Sequence, residues 1–148
     1  MVNPFDFRTI LLAKHAQHVV LIHFPIALFS AGVGLDLFSR GDRSSRLAAA
    51  AYLNLSLAAV TVLPAVLTGV LAWQFVLEGK SLRGLLLLHL IAAAVAALLV
   101  VGSWWVHWRT HKAQDSPLPR YRILIELLGV AAIALAAHLG GFLSGVNS

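Results

Sequence analysis

The 148-residue chain has no cysteine, one methionine (Met1) and only six acidic residues. Without cysteine there is no disulfide, no thiolate-held iron–sulfur cluster and no Cys-x-x-Cys-His attachment for a covalent haem. With Met1 alone, the soft sulfur ligands expected of a copper(I) carrier are missing too. No serine or cysteine nucleophile stands beside a histidine and an orienting acid, and no glycine-rich phosphate loop interrupts the chain, so a conventional hydrolase finds no support. The ligand chemistry that remains is imidazole, carried by seven histidines.

Apolar sequence is what the chain has in abundance. Its hydrophobic fraction is 59%, its charged fraction 11% and its mean hydropathy +0.85, outside the range of an ordinary soluble domain. Four stretches, Val19 to Phe38, Leu47 to Leu77, Leu85 to Val106 and Ile123 to Val146, are long enough to cross a bilayer core of roughly 30 Å at about 1.5 Å per residue. Polar breaks at 39–46, 78–81 and 109–122 separate them, the last holding Pro117 and Pro119. Short connections between antiparallel neighbours predict an all-α, up-down four-helix bundle forming a single transmembrane domain. Pro64 is expected to bend or tilt the long second segment. No internal repeat stands out, although pseudo-symmetry between the two helix pairs stays open.

Cations set the expected orientation. Arg8, Lys14, Lys80 and Arg83 fall on one face; Arg40, Arg43, Arg46, Arg109, Lys112, Arg120 and Arg122 fall on the other, which the positive-inside rule assigns to the cytoplasm. Both termini are then expected outside a bacterial inner membrane. Trp104, Trp105, Trp108 and Tyr121 mark the cytoplasmic boundary and Trp73 and Phe75 the outer one. The net charge of +5 therefore serves topology and indicates no nucleic-acid surface. Ahead of the first span, Asn3-Pro4 and the mixed segment behind it suggest a short interfacial helix, and neither a basic n-region nor a small-residue cleavage site suggests a signal peptide.

Intramembrane ionisable residues are functional candidates by default. His23, His89 and His138 lie in three different spans, and the threading brings all three to the outer side at similar depth, roughly 6 Å below the boundary for His23. Helices one and three of a square bundle face each other across a diagonal of roughly 11–14 Å, wide enough for a macrocycle held through both axial positions. His23 and His89 are accordingly the preferred ligands of a non-covalent b-type haem, with His138 an alternative ligand, a second-site ligand or a hydrogen-bonding neighbour. His18 lies near the same layer, and Arg83 is placed to neutralise haem propionates. His23, His89 and His138 are equally the candidate ligands of a bare metal ion.

Other polar positions have plainer readings. Asp36 with Arg40, and Arg122 with Glu126, have the i, i+4 spacing of same-face ion pairs, with a proton path through Glu126 as the alternative. His107 and His111 share that spacing among charged residues and read as surface histidines, with an adventitious metal site as the alternative. The glycines at 32, 34, 69, 84, 140 and 141 read first as helix-packing residues.

The segment His18-Val19-Val20-Leu21-Ile22-His23-Phe24-Pro25-Ile26-Ala27-Leu28, then Thr68-Gly69, His89 and His138-Leu139-Gly140-Gly141-Phe142-Leu143, resembles a bacterial membrane family known as domain of unknown function 2231. The resemblance runs over nearly the whole chain, and His-Phe-Pro-Ile is its most specific part. It implies a four-helix membrane module, found in relatives joined to Rieske or cytochrome c domains and so associated with electron transfer at the outer face. Three functions follow as expectations: a haem b electron-transfer subunit working between a quinol or membrane complex and an external acceptor; a structural or assembly subunit of a larger membrane complex; or a histidine-based metal site for transport or sensing. Each is a carrier or accessory role rather than a stand-alone enzyme.

Overall fold

The computed structural model describes residues 14–42, 44–75, 77–79, 81–113 and 117–144. Its helices are α1 (Lys14–Ser39), α2 (Arg46–Phe75), α3 (Gly84–Lys112) and α4 (Tyr121–Leu143). All four are long and apolar enough to cross a membrane. The chain is thus a multi-pass, all-α membrane bundle. The interfacial helix expected before the first span lies outside the described residues.

Helix ends differ from the expected spans at the charged boundaries. α1 starts at Lys14, ahead of Val19, and α3 continues past Val106 through Arg109 to Lys112. Hydropathy ends a span at its first charge, whereas backbone hydrogen bonding continues and long cationic side chains snorkel outward. Lys112 Nζ accordingly lies 4.6 Å from the centre of the Trp108 ring. Between the first two helices, α1 stops where Arg40 and Gly41 take left-handed φ values of 53° and 80°, and Ser45 Oγ accepts the Ala48 N–H at 3.1 Å to open α2. Asp42 Oδ1 accepts from both the Ser44 N–H and its hydroxyl, which holds the Asp42 carboxyl below the usual carboxylate range.

Lipid tails are as apolar as leucine, so packing in a membrane relies on close fit and small residues. The buried face of α2 shows this: Ala51, Leu55, Ala58, Val62 and Ala65 alternate steps of four and three, and Ala72 follows one heptad after Ala65, the 3.5-residue period of a left-handed bundle seam. Leu55 presses on Gly32, where an added Cβ would stand 3.0 Å from its side chain, and Phe29 presses on Gly129, where a Cβ would meet the ring at 2.7 Å. Most large apolar side chains outside this seam, such as Leu63, Leu98 and Leu124, are exposed, as a lipid-facing surface requires. α1 packs along α2 and α3 along α4, while α2–α3 and the sparser α1–α4 contact close the ring, which leaves α1 diagonal to α3.

The two hairpins repeat one pattern. A shift of 71 positions carries buried Phe29, Asp36 and Ser39 of α1 onto buried Val100, His107 and Thr110 of α3. It also carries Ala51, Leu55 and Val62 of α2 onto Arg122, Glu126 and Ile133 of α4, all buried. The pseudo-symmetry left open by the sequence is therefore present, with parallel repeats related about the bundle axis. Packing along that axis is uneven. No α3 residue before Ala92 and no α4 residue after Ile133 is buried, whereas Ala65, Thr68 and Ala72 of α2 are, so toward that end of the bundle the first hairpin is packed more tightly than the second.

Candidate functional site

The two ends of the bundle hold different chemistry. At the end opposite the cation-rich one, His18 Nδ1 lies 3.1 Å from the Ala65 carbonyl oxygen and 3.3 Å from Thr68 Oγ1, across the α1–α2 seam. His89 Nδ1 lies 3.0 Å from the Ala136 carbonyl oxygen across the α3–α4 seam. A carbonyl only accepts, so both rings carry their proton on Nδ1. Each partner lies 47 residues downstream of its histidine. The glycine one turn beyond each accepting alanine makes room for the ring: a Cβ on Gly69 would stand 2.9 Å from His18 Cε1, and one on Gly140 would stand 3.1 Å from His89 Cε1. These two glycines, read from sequence as packing residues, seat imidazoles. His18 and His89 are equivalent under the repeat.

The other expected residues of this layer sit differently. His23 is exposed and its Nδ1 donates back to its own helix at Val19 O, 2.6 Å away. No hydrogen bond or ring contact joins His23 to His89. His138 is exposed and stacks edge-on against Phe142 at 5.0 Å. Arg83 is exposed as the N-cap of α3. His23, His89 and His138 do not come together as a three-residue metal group. Among the described residues, the group that does is Asp36, His107 and Glu126.

That group lies at the cation-rich end and corrects two expectations. Arg122 Nε donates to Asp36 Oδ2 at 2.8 Å, between α4 and α1, and His107 Nε2 pairs with Glu126 Oε1 at 2.8 Å, between α3 and α4. The ion pairs therefore run between helices rather than along one face, because the bundle interior offers no water to solvate a charge left on its own helix. His107 is not a surface residue: it is 5% exposed, and Glu126 is fully buried. It turns inward because α3 keeps its buried register through Ser103, His107 and Thr110, one turn beyond the expected span. His111 is exposed as expected, and stacks on Tyr52 with ring centroids 4.5 Å apart. Three buried oxygens in this region, Asp36 Oδ1, Glu126 Oε2 and Ser103 Oγ, have no hydrogen-bond partner. The sequence signal was available in Asp36 and Glu126, two carboxylates inside apolar spans, but their partners were not.

Beside the cluster a cleft of about 160 Å³ is lined by Ala48, Ala49, Tyr52, His107, Thr110, His111 and Leu118. His107 is the one side chain shared by cleft and cluster.

Comparison with known proteins agrees with this architecture. The family model of DUF2231, described as a predicted membrane protein, matches residues 14–146, and the chain belongs to that family. No curated protein and no solved structure matches it.

Proposed function

We propose that this member of the family is an electron-carrier subunit of the bacterial inner membrane, holding a non-covalent b-type haem at its histidine end. The observation that carries the reading is the twin arrangement of His18 and His89. A metal-bound histidine characteristically donates its other ring N–H to a carbonyl, which fixes tautomer and orientation. Both rings have that bond, and in both the nitrogen opposite it is Nε2, the ligand atom. Their helices are diagonal, which is the wider gap of the bundle. The repeat favours His18 over His23 as the partner of His89.

His18 and His89 would hold the haem, which would supply a one-electron centre and carry electrons rather than bind a substrate. The chain's own residues hold and tune it. Ala65 and Ala136 orient the ligands, Gly69 and Gly140 keep room for them, and Arg83 neutralises a propionate at the membrane edge. By the positive-inside rule this end faces outward together with both termini. A quinol or membrane complex would supply the electron and an external protein would accept it. A structural or assembly subunit is the second reading, favoured by the same two bonds, since each also ties a hairpin together across its seam.

A reduced-minus-oxidised spectrum with a pyridine haemochrome assay on detergent-purified protein separates the two. The haem reading expects one low-spin b-type signal that His18→Ala and His89→Ala each abolish and His111→Ala leaves intact. Retention by both first variants would reject the ligand pair. Absence of haem from wild type expressed with adequate haem would leave the structural subunit.

A further inference from the structure

At the opposite end from the histidine layer, and independently of what that layer binds, we propose that Asp36, His107, Arg122 and Glu126 form a proton-binding site, loaded from the cation-rich side through His107. The argument starts from charge. Two carboxylates and one guanidinium sit within the bundle, each less than a tenth exposed. With a neutral imidazole the group carries one net negative charge, an expensive condition in a low-dielectric interior. One added proton brings it to zero. A divalent cation overshoots to a net positive charge beside Arg122, although the donor atoms of Asp36, His107 and Glu126 all lie within 4.8 Å of one another. Electroneutrality therefore favours the proton over the metal.

Geometry supplies the route. His107 lines the cleft with one ring and holds Glu126 Oε1 at 2.8 Å through Nε2, so the imidazole stands between a cleft at the charged membrane boundary and a fully buried carboxyl. An imidazole in that position passes protons: a hydronium gives its proton to Nδ1 and leaves as water, while the Nε2 proton moves to Glu126 Oε1. The ring is left as the neutral Nδ1–H tautomer. Release is the same exchange in reverse, and one proton is conserved throughout. The groups that bear on its equilibrium are Asp36 from α1, Tyr52 from α2, His111 from α3 and Arg122 from α4. Arg122 Nε donates to Asp36 Oδ2, which leaves Asp36 Oδ1 unpartnered together with Glu126 Oε2 and Ser103 Oγ. These oxygens are the acceptors over which an incoming proton, or the water that carries it, can be held.

The test is an infrared pH titration of the full chain in nanodiscs, in H₂O and D₂O, following the protonated-carboxyl stretch. Beside the exposed carboxyls such as Asp42 and Glu78, wild type should show a buried isotope-sensitive carboxyl that titrates, and Glu126→Gln should remove that band alone. His107→Gln keeps a neutral donor to Glu126, and so the fold, but should slow or abolish the exchange. Circular dichroism and monodispersity confirm folding of each variant. Identical titrations in wild type and Glu126→Gln would overturn the proposal. So would one equivalent of bound zinc or manganese that survives dialysis and is lost in His107→Gln, since that result makes the group a metal site.

Discussion

Small volumes decide a good deal at the scale of single residues. A methyl group at Gly129 would stand 2.7 Å from Phe29 Cζ, and Phe29 is fully buried and cannot swing away. Gly129→Ala should therefore cost about 1–3 kcal/mol, read as a lowered midpoint of thermal unfolding in detergent. Gly34 has nothing within 4 Å of the same position, so Gly34→Ala should be neutral or raise stability by up to about 1 kcal/mol through helix propensity. The two substitutions are chemically identical and are told apart by their surroundings alone. The histidines obey the same rule. Gly140→Ala would crowd His89 at 3.1 Å, and the haem reading predicts a weakened or shifted haem spectrum while the helix content is kept.

Between elements, the two ion pairs do what apolar contact does elsewhere in the bundle. The α1–α4 contact is the sparsest side of the ring, and Arg122 to Asp36 crosses it. Arg122→Met should cost about 3–5 kcal/mol, because it leaves a buried carboxylate without its counter-charge. Asp36→Leu combined with Arg122→Met should cost much less than the single change, and a thermal double-mutant cycle measures the difference. This pair also marks the limit of what the sequence made legible. Span number, order and up-down topology followed from hydropathy and loop lengths, and His89, His18 and Arg83 were all singled out. Asp36 and Arg122, however, are 86 residues apart, and spacing rules pair a charge only with neighbours on its own helix. His107 was hidden differently. It stands between Val106 and the Trp108-Arg109 boundary, where composition reads as surface, and only the continued helical register turns it inward.

Across the whole molecule, the absence of cysteine becomes an experimental asset, since any introduced thiol is unique. The proposed orientation predicts that Ser44→Cys is labelled by a membrane-impermeant maleimide only from the cytoplasmic side, and Ser81→Cys and Ser144→Cys only from outside. The reverse pattern would invert the topology. The repeat was difficult to see in one dimension because, beyond His18 with His89, Ala65 with Ala136, Gly69 with Gly140 and a few common residues such as Leu28 with Leu99 and Leu53 with Leu124, the equivalent side chains differ. Those differences bear on why both hairpins belong to one polypeptide. Self-association of a first hairpin would bring two copies of Asp36 together near the axis, with Ala51 and Leu55 where the second hairpin supplies Arg122 and Glu126. Neither acid would find a base at the position that Arg122 holds. Covalent fusion lets one half keep the lone carboxylate and the other keep its counter-charge, so the linked chain can divide acid and base between halves in a way that a symmetric dimer of the first hairpin cannot.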